Sequence, residues 1–94
     1  MLTLMLFMVI ERFKNKDPGS IGERFRRDGR MLPEGVLYHA SWIDPVEACC
    51  YQLMEADSAA QLQPWVDRWA DLAEFEIVPV QTSQAYWAAA GSGS

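Results

Sequence analysis

The chain opens on an apolar run, Met1 to Ile10, broken only by Thr3, and Leu4 to Phe13 is rich in apolar residues with neither cap nor breaker inside it. Such a run reads as a strand buried on both faces, far shorter than the roughly 20 residues a membrane span needs. It lacks a basic leader, and Glu11-Arg12-Phe13 stands where a secretion signal would carry small residues, so no signal peptide is expected. Asp17-Pro18-Gly19 marks a turn, and Ser20-Ile21-Gly22-Glu23 fits a capping box at the start of a helix. Ile21, Phe25 and Leu32 share one side of that helix, the arginines lie mainly on the other, and Pro33-Glu34-Gly35 ends it.

Val36 to Asp44 reads as a second strand, and Glu47 to Glu55 as a third. Only the turn at Pro45 separates them, which predicts an antiparallel hairpin. Asp57-Ser58 starts a second helix, with Gln61 placed to complete another box. Leu62, Trp65, Val66, Trp69 and Leu72 follow helical spacing, and Pro64 bends or delays the first turns. Glu74 to Val80 is a fourth strand whose Pro79, lacking a ladder donor, suits an edge or a strand end. Thr82 or Ser83 can cap a short last helix carrying Tyr86 and Trp87. The order β-α-β-β-α-β plus a terminal helix predicts an α+β, ferredoxin-like fold. Its four-stranded antiparallel sheet has both helices on one face and strand one in the middle.

Two helices cover one face only, yet the strands are apolar on both. Strand two divides into Val36, Tyr38, Ala40 and Trp42 against Leu37, His39, Ser41 and Ile43. Strand three divides into Cys49, Tyr51 and Leu53 against Ala48, Cys50, Gln52 and Met54. Strand four divides into Phe75 and Ile77 against Glu76, Val78 and Val80. A wetted antiparallel face should be polar. Exposing several such side chains would cost about 1.5–3 kcal/mol each. A homodimer paired through the sheet face that the helices leave uncovered is therefore expected, the alternative being the terminal helix folded over that face.

Composition narrows the partners. The 94 residues (10.7 kDa) suffice for one domain, set at 1–90, with Gly91-Ser92-Gly93-Ser94 read as an artificial linker. The formal charge of −5 argues against nucleic acid or an anionic membrane surface as partner. Seven of the eight bases nevertheless fall in residues 1–30, against four acids, and Arg68 alone faces nine acids thereafter. The cysteines, Cys49 and Cys50, are adjacent and so point apart on a strand. Free thiols and a cytoplasmic location are expected.

Several segments carry a family resemblance: Met5 to Glu11 (MLFMVIE), Arg24 to Val36 (RFRRDGRMLPEGV), Tyr38 to Trp42 (YHASW), Trp69 to Leu72 (WADL) and Glu76 to Val80 (EIVPV). The chain resembles a small bacterial family known as a domain of unknown function, number thirty-three-oh-three, placed in the dimeric α/β-barrel superfamily. That resemblance covers nearly all of residues 4–88. It implies a ferredoxin-like subunit whose sheet pairs with a second copy to close a barrel. It carries no assigned reaction and no catalytic residues. Cofactor-free monooxygenases, lactone isomerases and haem enzymes of the wider superfamily share the architecture alone.

If the second set of strand residues lines such a barrel, His39, Ser41, Gln52 and Glu76 point into it, beside Cys50 and Met54, and Glu11 joins them if strand one is so phased. A mostly apolar cavity with a few polar groups is the usual form of a small-molecule pocket. The leading expectation is thus a binding module for an apolar or aromatic metabolite, without cofactor. The alternatives are a cofactor-independent isomerase or monooxygenase using His39 with Glu11 or Glu76, and a purely structural or regulatory domain with a filled barrel. His39 is the lone histidine and the side chain suited to titrate near neutrality, though a buried, satisfied histidine is the plainer reading. One histidine with scattered carboxylates does not make a zinc or iron site, and so short a chain leaves little to enclose a haem. Cys50 reads as an inert buried thiol before a thiolate nucleophile. The tryptophans read as packing mass, and Arg24, Arg26, Arg27 and Arg30 as a solvated face before an anion site.

Overall fold

The computed structural model describes residues 4–91. The remainder of the expected Gly-Ser linker, Ser92 to Ser94, lies outside them, as do Met1 to Thr3. Strand β1 (Met5–Phe13) is followed by a 3-10 turn (Lys14–Lys16), helix α1 (Pro18–Asp28), β2 (Leu37–Asp44) and β3 (Cys49–Ala56). A second 3-10 turn (Ala59–Leu62) leads into helix α2 (Gln63–Trp69), then β4 (Ala73–Val80) and helix α3 (Ser83–Ala90). The sheet order is β2-β3-β1-β4 and every pairing is antiparallel, the ferredoxin-like order. The apolar β1 is central and Pro79 lies on the edge strand β4, both as its residue types require.

Helix α1 begins earlier than the serine box implies. Asp17 is its cap, accepting from the backbone N–H of Gly19 (2.9 Å) and Ser20 (3.4 Å). Pro18 follows at the first position, where its missing N–H costs nothing. Ser20 is drawn into this cap, its hydroxyl bonded to Asp17 Oδ2 at 2.8 Å. The helix also ends sooner, because Gly29 turns the chain at φ +71°, so Leu32 reaches the core from a loop and not from the helix. Pro64 delays the second helix as expected: α2 starts at Gln63 and ends at Trp69, short of Leu72. Gln61 does reach back, its Oε1 accepting from the Asp57 N–H at 2.6 Å. Thr82 caps α3 through Ala85 N–H at 3.0 Å.

The core fixes the faces. Phe7 and Val9 of β1, Met54 and Ala56 of β3, Leu62, and Trp65 and Trp69 of α2 form one buried cluster. Ile21 of α1 packs against it, so both helices cover the same side of the sheet. Glu11, Phe13, Cys50 and Gln52 are buried on that side too. The partition of strand three thus runs opposite to the expected one: Cys50, Gln52 and Met54 lie beneath the helices, and Tyr51 and Leu53 face away.

A register shift in β2 between Tyr38 and Ala40 makes His39 an extra, bulged residue. Tyr38 is paired with Met54 and Ser41 with Gln52, so both fall on the helix side, while Leu37, Ala40 and Trp42 share the other side with Glu55, Leu53 and Tyr51. That second face also carries Leu6, Met8, Ile10, Val78 and Val80, all half-buried, with Trp42 more than half exposed. Helix α3 has no buried residue, and Tyr86 and Trp87 stand exposed on it.

Candidate functional site

The clearest concavity lies between α1 and the helix-covered side of the sheet, enclosing about 270 Å³. Phe13, Ile21, Phe25, Ile43, Trp65 and Trp69 give it apolar walls. Its polar groups come from three strands and a loop: Glu11 of β1, Ser41 of β2, Cys50 and Gln52 of β3, and Arg30 just past α1. They converge because β1 lies beside β3, with Glu11 opposite Cys50 and Val9 opposite Gln52.

Gln52 organises this group. Its Nε2 donates to Glu11 Oε1 at 3.3 Å, and its Oε1 accepts from Arg30 Nε at 3.2 Å. Burial pushes the Glu11 carboxyl up to about 7, although the Arg30 charge and the Gln52 hydrogen bond both pull it down. Glu11 therefore exchanges its proton near neutrality, where a general acid or base works best. Burial, reinforced by the Glu11 charge, raises the Cys50 thiol to about 12, which makes it an inert wall atom. Cys49 and Cys50 are both free.

Arg30 is held by stacking. Its guanidinium lies 3.7 Å from the Tyr38 ring centroid and 5.1 Å from that of Phe25. Tyr38 is steadied in turn by a 2.7 Å hydrogen bond between its hydroxyl and that of Ser41. Trp69 donates its indole N–H to the Arg30 carbonyl at 3.2 Å, tying the loop to α2. Trp65 differs: it lines the same cavity, it is 1% exposed, and its indole N–H has no partner among the described residues. A buried donor left unpaired costs about 1–3 kcal/mol.

The structure thus divides the residues singled out in the sequence. Ser41, Cys50, Gln52 and Glu11 come together, but under α1 and not on the open face. Met54 is fully buried in the core, away from this cavity. His39 and Glu76 occupy the two edge strands of the sheet, with β3 and β1 between them, and do not meet. His39 bonds Glu55 instead (Nε2 to Oε1, 2.6 Å), and Glu76 pairs with Arg12 at 3.1 Å. Neither Glu11 nor Glu76 is therefore the partner of the histidine. Arg30 is the residue that sequence reasoning missed as part of the site. The usable signal was Gly29, whose positive φ ends the helix one residue earlier and turns Arg30 inward.

Among the described residues, no three of the His, Cys, Asp and Glu side chains gather as a metal site, and no helix is long and apolar enough to cross a membrane. A family model described as "Domain of unknown function (DUF3303)" matches residues 5–93. No curated protein and no solved structure matches the chain.

Proposed function

Since the chain belongs to the DUF3303 family, whose description assigns no activity, its function has to be sought in its chemistry, and we propose that it binds a small apolar or aromatic molecule between α1 and the sheet. The observation that carries this reading is the cavity itself, walled by aromatic and aliphatic side chains with Glu11, Gln52 and Arg30 at one end. At about 270 Å³ it falls at the small end of ligand sites, which commonly span about 300–1,000 Å³, so the occupant is a compact one.

Titration with benzyl alcohol, followed by nuclear magnetic resonance, tests it. The resonances of Ile21, Ile43 and Trp65 should shift and saturate. Gly22→Phe should abolish the response, because Gly22 lines the cavity and a Cβ there meets only Arg26 Nη1, at an ordinary 3.5 Å. That change also removes a helix-interior glycine, so the fold should tolerate it. Shifts confined to Met8 and Trp42 would place the ligand on the opposite face and defeat the proposal.

A second reading, a cofactor-independent enzyme that moves a proton, is favoured by Glu11, whose acidity lies near neutrality inside the pocket. His39 with Glu55 is a separate, half-exposed pair on the other face and adds nothing to that site. The proposal also includes a homodimer of the α/β-barrel type, paired through the uncovered sheet face. Its support is the row of apolar residues there and the failure of α3 to cover them. Two buried free thiols agree with a cytoplasmic setting.

A further inference from the structure

We infer that the molecule taken by this pocket is a small aromatic or aliphatic carboxylic acid, with its carboxylate on Arg30 and its hydrocarbon body under α1. The inference rests on the pocket reading and adds the ligand's charge and class. Among the described residues, Arg30 is the single cationic side chain lining the cavity. Its guanidinium lies over the rings of Tyr38 and Phe25, and Gln52 occupies its Nε. Its two Nη groups make no hydrogen bond among the described residues. A guanidinium fixed by stacking, with in-plane N–H groups to spare, is preorganised for a planar anion.

The rest of the lining agrees. Trp65 contributes an indole N–H that lacks an acceptor. Among the described residues, Glu11 is the lining group whose charge changes near neutrality, since Cys50 holds its proton up to about 12. Among the described residues, the elements packed around Glu11 bring no further charge: α1 presents Ile21 and Gly22, α2 presents Trp65, and β4 places Phe75 opposite it. When Glu11 is protonated the pocket has surplus donors and a net positive charge. A carboxylate satisfies both.

Calorimetric titrations with benzoate and its neutral isostere benzamide distinguish the two claims. At pH 6, benzoate should bind at least tenfold more tightly than benzamide, and Arg30→Gln should reduce benzoate to the benzamide affinity. Above pH 7, benzoate binding should weaken about tenfold per pH unit, since Glu11 must take up a proton to accept it. The proton uptake, read from two buffers of different ionisation enthalpy, keeps the test sharp should Arg30→Gln fold poorly. Glu11→Gln should flatten the profile. Equal affinity for the two probes would overturn the carboxylate inference and leave the pocket reading standing. Binding of neither would overturn both, and a benzoate preference indifferent to Arg30→Gln and to pH would place the acid elsewhere and overturn the inference.

Discussion

Gln52 donates its amide to Glu11 across the β1–β3 pairing, and this 3.3 Å contact joins two buried polar residues beneath the helices. It leaves Glu11 far from bulk water with one amide donor and a neighbouring guanidinium, too little to keep the carboxylate ionised at its usual pH.

Stability should therefore fall as pH rises. The folded chain holds the Glu11 proton up to about 7, whereas the unfolded chain releases it near 4.5, so between these values the native state binds more protons. The loss begins near pH 4.5 and is complete somewhat above 7, amounting to about 3 kcal/mol from this group. Glu11→Gln should remove that slope and be the more stable form at pH 8. Urea denaturation at pH 5 and pH 8 would show it, and parallel pH dependences in the two proteins would refute the assignment.

Trp65 and Trp69 should respond differently to the same change. Both are buried, but only the Trp69 indole N–H has an acceptor, the Arg30 carbonyl. Trp69→Phe loses packing and a hydrogen bond and leaves a carbonyl unpaired. Trp65→Phe loses similar packing but relieves an orphaned donor. Trp69→Phe should be the costlier by about 1–2 kcal/mol in denaturant midpoints measured without ligand.

The uncovered face makes its own prediction. Trp42 stands 55% exposed there, beside Tyr51 and on the same side as Ile10 and Met8. Sedimentation at micromolar concentration should give a two-subunit species for the natural chain and a single subunit for Trp42→Lys, with unchanged circular dichroism. A natural chain that sediments as one subunit removes the pairing.

Gly35 sits at φ +86°, and a Cβ on it would approach Gln61 Nε2 to 2.7 Å. The Gln61 amide can move aside, since it is the far end of a flexible side chain. The backbone conformation cannot, so Gly35→Ala should cost about 1–2 kcal/mol. The same change should also loosen the Gln61 contact with the Glu34 carbonyl. Thermal unfolding measures the first and amide exchange near Asp57 the second.

The architecture was legible because its signals were redundant. An unbroken apolar stretch put β1 in the middle, Pro79 put β4 on the edge, and two helical patterns separated by a hairpin left one topology. The site was only half legible. Glu11, Ser41, Cys50 and Gln52 were recognisable as polar groups embedded in apolar strands. Their side of the sheet was not, because the two alternating sets of strand three, Tyr51 with Leu53 and Cys50 with Met54, are about equally apolar. Period-two reasoning separates such sets without saying which one the helices cover. Arg30 was hidden for a different reason. Counted with the arginines of a helix that ends two residues before it, it reads as surface, and only the turn at Gly29 redirects it.

One surplus residue in β2 sets what lies above it. Because His39 bulges out of register, Tyr38 and Ser41, three apart, look the same way, and the tyrosine becomes the shelf on which a cation rests. Drawing that histidine into the ladder, without the bulge, would invert the first part of the strand and leave Arg30 without its shelf. The inserted residue thus governs the chemistry of a cavity that its own imidazole never touches.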